Sequence, residues 1–250
     1  MPEQSLRQNA APEELRVLLW DIDGTLMRSA RAGAFKDYTV PVLESVFGTA
    51  GRLREMQVSG MTDLQIVAEA LRDEGFTARQ IRARRRELQT RYLTEMERAV
   101  AAAREEPLFQ LLPGVRETLA AISRHPRYRS ALLTGNIEPA ARLKLKFFEL
   151  TDYFPLPGAF GSDSHDRRDL PALAHKRISR HLRLDLRPAQ FIVIGDTPND
   201  IACAKHFGAR SIAVATGRSY QPDELLAHSP DALLPDLSDA ELVLHTLGKL

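Results

Sequence analysis

The chain has 250 residues, 44% of them hydrophobic, with 34 basic side chains against 33 acidic ones. That length and apolar share support a sizeable core and exclude disorder throughout, while the charge balance argues against nucleic acid or a membrane surface as partner. A single cysteine, Cys203, excludes an internal disulfide and fits a reducing compartment.

The first fifteen residues, MPEQSLRQNAAPEEL, are polar and lack the apolar centre of a secretory signal. No run of about eighteen uncharged apolar residues follows, so the expectation is a soluble cytoplasmic protein without a membrane span. The first apolar run, Arg16-Val-Leu-Leu-Trp20, stops at Asp21-Ile-Asp-Gly24 and predicts a buried strand. From Thr62 to Gly75 a helical pattern puts Leu64, Val67, Ala68 and Leu71 on one face. Thr77-Ala-Arg-Gln80 predicts a capping box that opens one long helix striped by Ile81, Leu88, Tyr92, Met96 and Val100. A helical insertion of about seventy-five residues exceeds the ordinary loop scale and should form a subdomain.

Pro113-Gly114 marks the return to the first domain. Apolar runs then recur at Arg129-Ser-Ala-Leu-Leu133, Phe191-Ile-Val-Ile194 and Ser211-Ile-Ala-Val-Ala215, with a weaker one at Ala232-Leu-Leu234. They alternate with helical patterns, which predicts an α/β fold: a Rossmann-like, doubly wound parallel sheet with helices on both faces.

Ligands of such sheets bind beyond the carboxyl ends of the strands. Here those ends carry Asp21-x-Asp23-Gly24-Thr25, Thr134-Gly135-Asn136 and Gly195-Asp196-Thr-Pro-Asn-Asp200. Like charges about 4 Å apart repel by about 4 kcal/mol at an effective dielectric near 20, so converging carboxylates predict a hard cation held by oxygen ligands, with Mg2+ the best match.

Taken together, the two acidic motifs resemble those of the haloacid dehalogenase superfamily, and within it the phosphatases related to phosphoglycolate phosphatase. The resemblance spans about residues 16 to 235. It implies that Asp21 attacks phosphorus and that Asp23 protonates the leaving oxygen and then activates water. It further implies Mg2+ on the Asp21 and Asp196 side chains and the Asp23 carbonyl, with Asp200 in support of the metal's water shell or of the basic residue. Thr134, Gly135 and Asn136, together with Gly24 and Thr25, are the implied phosphate contacts. An acid at position 23 fits phosphate esters, whose alkoxide leaving group needs a proton.

The superfamily's lysine, often followed by proline, has no counterpart in Asp163-Ser-His-Asp-Arg-Arg-Asp-Leu170. Arg167 is the expected substitute, ahead of Arg168 and of Lys176, since a guanidinium can grip carboxylate and phosphate alike. The insertion matches the family's α-helical cap. Within it, Ser59-Gly60-Met-Thr62-Asp63 stands where related caps carry a substrate-facing turn, making Gly60, Thr62 and Asp63 the candidates for substrate contact.

Simpler roles compete for several of these residues. Thr197, Pro198 and Asp200 also read as a helix start, which is compatible with a site. Cys203 fits buried packing, the seven histidines show no ligand spacing, and Arg82, Arg84, Arg85 and Arg86 fit a solvated helix face. The expected organisation is a core of residues 1–32 and 109–250 with a cap of residues 33–108. The expected activity is hydrolysis of a small phosphorylated metabolite by a monomer or homodimer. A phosphomutase of the β-phosphoglucomutase type is the alternative, and a non-catalytic binding protein on the same scaffold is the alternative from another class.

Overall fold

A computed structural model describes residues 11–103 and 107–250. The polar tail expected at the start therefore lies, up to residue 10, outside the described residues. The first half of the chain runs β1 (Arg16–Trp20), β2 (Met27–Ser29), α1 (Lys36–Phe47), α2 (Asp63–Ala70), α3 (Ala78–Ala83), α4 (Arg85–Ala102) and β3 (Phe109–Leu111). The second half alternates: α5 (Val115–Arg124), β4 (Tyr128–Thr134), α6 (Glu138–Phe147), β5 (Ala159–Phe160), α7 (Leu170–Leu182) and β6 (Phe191–Gly195). It closes with α8 (Pro198–Phe207), β7 (Arg210–Val214), α9 (Pro222–Ala227), β8 (Ala232–Leu234) and α10 (Ala240–Gly248).

Six strands form one sheet in the order β5-β4-β1-β6-β7-β8, and every neighbouring pair is parallel. β1 shows why a continuous apolar run is needed at the centre of such a sheet. Its Leu18 and Trp20 enter an apolar cluster with Val115 and Leu119 of α5, whereas Val17 and Leu19 enter another with Ala174 and Ile178 of α7. Both faces are buried, so both phases of the two-residue alternation must be apolar. The registers Trp20↔Leu132 and Trp20↔Ile194 bring the three motif-bearing strands side by side. Their carboxyl ends consequently share one rim.

The insertion buries its own core. One cluster gathers Tyr38, Leu43, Leu53, Val67, Leu71, Leu88, Tyr92 and Met96, and it continues onto Ile137 and Ala140 at the start of α6. The Thr77–Gln80 capping box is present, but the helix it opens is not continuous. α3 ends at Arg84, with φ −93° and ψ 8°, before α4 begins. The Arg84 guanidinium donates to Val46 O at 2.8 Å and lies over the Phe47 and Phe76 rings, which fastens this break onto α1. In α2 the buried face is formed by Ile66, Val67 and Ala70, with Leu71 beyond its end, and Leu64 and Ala68 stay half-buried.

β2 and β3, which pair antiparallel where the chain leaves and re-enters the core, have no counterpart among the expected strands. Three residues are too few for a periodicity to register; the pairing defines them. Among the described residues no helix is long and apolar enough to cross a membrane.

Leu19 is fully buried on the central strand. Leu19→Ala is expected to cost about 2–5 kcal/mol of unfolding free energy. Urea unfolding followed by the fluorescence of Trp20, the single tryptophan, measures it. A loss below about 1 kcal/mol would contradict the packing described, since truncating a well-packed leucine costs more.

Candidate active site

Asp21 follows β1 directly, and its N–H donates to Ile194 O of the neighbouring strand at 2.9 Å. With Asp196 and Asp200 it forms a buried group whose chosen carboxylate oxygens all lie within 4.8 Å of one another. Acidic residues remote in sequence thus meet at one rim of the sheet. Glycines make the approach feasible. Gly24 turns the chain at φ +92°, and an added Cβ there, or at Gly217, would overlap the Asp196 carboxylate. At Gly195 an added Cβ would overlap Asp200.

The helix-start reading of Thr197–Asp200 and the site reading both describe the geometry. Thr197 caps α8, and its N–H donates to Asp200 Oδ2 at 3.1 Å in a reciprocal capping box. The other Asp200 oxygen pairs with Arg167. Arg167 opens a 3₁₀ turn, Arg167–Asp169, before α7, and is 5% exposed. Its Nη2 lies 3.0 Å from Asp21 Oδ1, and its Nη1 donates to Gly60 O at 3.4 Å. The other two basic candidates are elsewhere: Arg168 pairs with Asp166 at the surface, and Lys176 is exposed on α7.

Crowding and burial govern the charges. Burial pushes the Asp21 carboxyl up to about 6; Arg167 pulls it back, while Asp200 and Asp23 reinforce the rise. Burial, then Asp21 and Asp200, hold Asp196 well above the usual carboxylate range. Burial works against the Arg167 charge, but Asp200 and Asp21 outweigh it and keep the guanidinium protonated. With all three carboxylates ionised, this one guanidinium leaves two negative charges unbalanced, the complement of one divalent cation. All the donors are carboxylate oxygens, so the residues present fit a hard ion such as magnesium.

Asp23 is set apart from that group. Its carboxylate accepts from Lys144 and from Asn136 Nδ2, the latter at 2.7 Å. Asn136 Nδ2 also donates to Thr134 Oγ1 at 2.8 Å, so the Thr-Gly-Asn turn reaches the second aspartate through a side chain. Thr25, expected among the phosphate contacts, is fully buried, and its hydroxyl donates to Asp196 Oδ1 at 3.1 Å; it orients a carboxylate. The Ser59–Asp63 turn is fastened to the core. Asp63 N–H donates to Gly135 O and Ile137 N–H donates to Asp63 Oδ2, both at 2.7 Å. Thr62 Oγ1 donates to His165 O at 3.0 Å, and Asn199 Nδ2 donates to Gly60 O at 2.9 Å. Burial pushes the Cys203 thiol up to about 12, as suits a packed, inert cysteine.

Lys144 and Gly217 were not among the expected residues. A signal for Lys144 exists in the sequence, because Ile137, Ala140, Ala141, Lys144 and Leu145 hold the helical i, i+3, i+4, i+7, i+8 positions, and one of them is charged. Gly217 carries no such signal; its closeness to Asp196 arises only in three dimensions. A hollow of about 820 Å³ is lined by residues such as Ala34, Pro41 and Ala99, none of them in the acidic group. Charge, not volume, marks the site.

Asp63 offers a test of the contact between this turn and the core. Burial pushes its carboxyl up to about 6, against opposing pulls from the Ile137 N–H and Lys144. The folded protein therefore ionises Asp63 less readily than the unfolded chain does. The group's contribution to stability is complete below pH about 4 and is lost as pH rises through about 6. Asp63→Asn, measured metal-free, should match the wild type near pH 4 and exceed it at pH 8 by about 1–3 kcal/mol. Denaturant curves across that range would show it, and parallel pH profiles would contradict the origin given.

Comparison with known proteins supplies the relatives. A HAD-hydrolase-like family model matches residues 170–240. The phosphoglycolate phosphatase of Photorhabdus laumondii subsp. laumondii is 25% identical over 235 residues, covering 94% of this chain and 93% of that protein. The phosphoglycolate phosphatase of Escherichia coli strain K12 is 28% identical over 252 residues, covering 90% and 93%. The crystal structure of a predicted phosphoglycolate phosphatase from Haemophilus somnus 129PT shares the fold, with a TM-score of 0.63 and 19% identity over 92% of this chain and 98% of that one. The chain is similar to the haloacid dehalogenase-like hydrolases and, among them, to the phosphoglycolate phosphatases.

Proposed function

We propose that the chain is a magnesium-dependent phosphatase that hydrolyses small phosphate monoesters through an aspartyl phosphate on Asp21. The observation that carries this reading is the buried Asp21 carboxylate, paired with Arg167 at 3.0 Å and adjoined by Asp196 and Asp200. The names of the curated relatives support phosphate monoesters as substrates.

In the first step an Asp21 oxygen bonds to phosphorus while the ester P–O bond breaks. The departing oxygen takes its proton from the Asp23 carboxyl. In the second step water bonds to phosphorus and gives its proton to the Asp23 carboxylate, and the Asp21–phosphorus bond breaks to release inorganic phosphate. Arg167 holds Asp21 in place and meets phosphoryl charge, and Asp200 in turn holds Arg167. Thr134 and the main chain at Gly135, Asn136 and Gly24 are the proposed phosphate contacts. Magnesium on the side chains of Asp21 and Asp196 and the Asp23 carbonyl, when bound, would neutralise charge between nucleophile and phosphate. Residues 33–108 are the proposed cap. Through Gly60, Thr62 and Asp63 it closes on the core loops and limits water at the aspartyl phosphate.

Asp21→Asn is expected to lower turnover of a phosphate monoester by ~10³-fold or more with an unchanged circular dichroism spectrum. In acid-quenched wild type, phosphate should appear on the peptide containing Asp21; ordinary turnover by the variant would remove Asp21 as nucleophile. Released inorganic phosphate, as opposed to an isomerised sugar phosphate, separates the phosphatase from the phosphomutase. Arg167→Ala should lose about 10²-fold in kcat/KM. Lys176→Ala, a surface change, should stay within about twofold. The reverse ranking would reassign the basic residue.

A further inference from the structure

Lys144 sits on the buried face of α6, yet it ends in a charge. Ala140 and Ala141, one turn earlier, leave room for its stem, and its side chain is 2% exposed. The ammonium donates to Asp23 Oδ1 at 2.8 Å, to Asp23 Oδ2 at 2.6 Å and to Asn136 Oδ1 at 2.7 Å. Three donors thus meet three acceptors. On another side Nζ lies 5.3 Å from the centre of the Phe109 ring on β3. An apolar side chain would fill this place without the cost of desolvating an ammonium, so packing does not explain the charge. Its partner does. The Asp23 side chain is 41% exposed, so Lys144 and Asn136 grip it while part of it stays open.

We propose that Lys144 is a positioning residue for Asp23, holding that carboxyl where it exchanges protons with the leaving oxygen and with water. The inference rests on the reading of Asp23 as proton donor and acceptor given above. When Asp23 releases its proton to the departing oxygen, the carboxylate left behind already faces an ammonium, and no side chain has to move to meet the new charge. When water attacks, the same carboxylate is aimed to take the proton. The nucleophilic attack by Asp21 involves no Lys144 contact.

That division makes the role separable from a structural one. p-Nitrophenolate is a stable anion and leaves without a proton, whereas the alkoxide of 2-phosphoglycolate needs one. In Lys144→Met, rapid mixing with p-nitrophenyl phosphate should show a first turnover within about threefold of wild type, then later turnovers slowed about 10²-fold, because hydrolysis of the aspartyl phosphate still depends on Asp23. With 2-phosphoglycolate the first turnover itself should slow by about 10²-fold. Rate constants are compared within one variant, so a misfolded fraction alters amplitudes only, and Lys144→Gln provides the same comparison should the methionine variant not fold. Equal slowing of every phase, or no slowing, would overturn the proposal. A wild type inert toward both esters would instead remove the phosphatase reading, and this inference with it.

Discussion

The molecule is organised around a repulsion it does not relieve with its own side chains. Asp21, Asp196 and Asp200 are buried within a few ångströms of one another, and once all three are ionised Arg167 balances only one of their charges. In water such a group would separate. Here the parallel registers of β1 and β6 fix the two backbones, and glycines at 24, 195 and 217 let the carboxylates close in. The sheet supplies the rigidity and the loops supply the chemistry, the usual division in folds of this kind. What the protein leaves uncompensated, a divalent ion can complete.

The two aspartates of the first motif, two residues apart, have different surroundings. Asp21 is buried and faces a guanidinium held from behind by Asp200. Asp23 is more open and faces an ammonium held from behind by Asn136. Each is oriented by its own cation, and the two cations come from separate elements, the turn before α7 and the middle of α6. The proposed nucleophile and the proposed proton carrier are thereby held independently, which suits the two-step reaction proposed for them. The Ser59–Asp63 turn joins both sets. Gly60 O accepts from Arg167, and Asp63 bonds to the turn that carries Asn136. The Ser59–Asp63 turn is therefore tied to the partners of both aspartates.

Much of this was legible in the sequence because the signals were local. Apolar runs ending in Asp21 and Asp196 marked strands and acids together, and Thr77 with Gln80 marked a helix start that the structure contains. Chemistry favours Arg167 over Arg168 and Lys176, and it is the one that reaches Asp21. What escaped was set by distant contacts. The break at Arg84 depends on Val46 and two aromatic rings, and β2 exists only through its pairing with β3. Thr25 faces Asp196 because two loops converge, which spacing alone could not reveal. Lys144 sat in plain view as a charge on an apolar stripe, but its meaning depended on Asp23, far away along the chain.

Titration of Mg2+ into the protein by calorimetry, beside an Asp196→Asn variant, tests most directly whether the crowded carboxylates serve a shared ion. One site per chain, with its heat abolished in the variant, is the outcome expected from two unbalanced charges at the strand ends. Equal binding by both proteins, or none by the wild type, would contradict it.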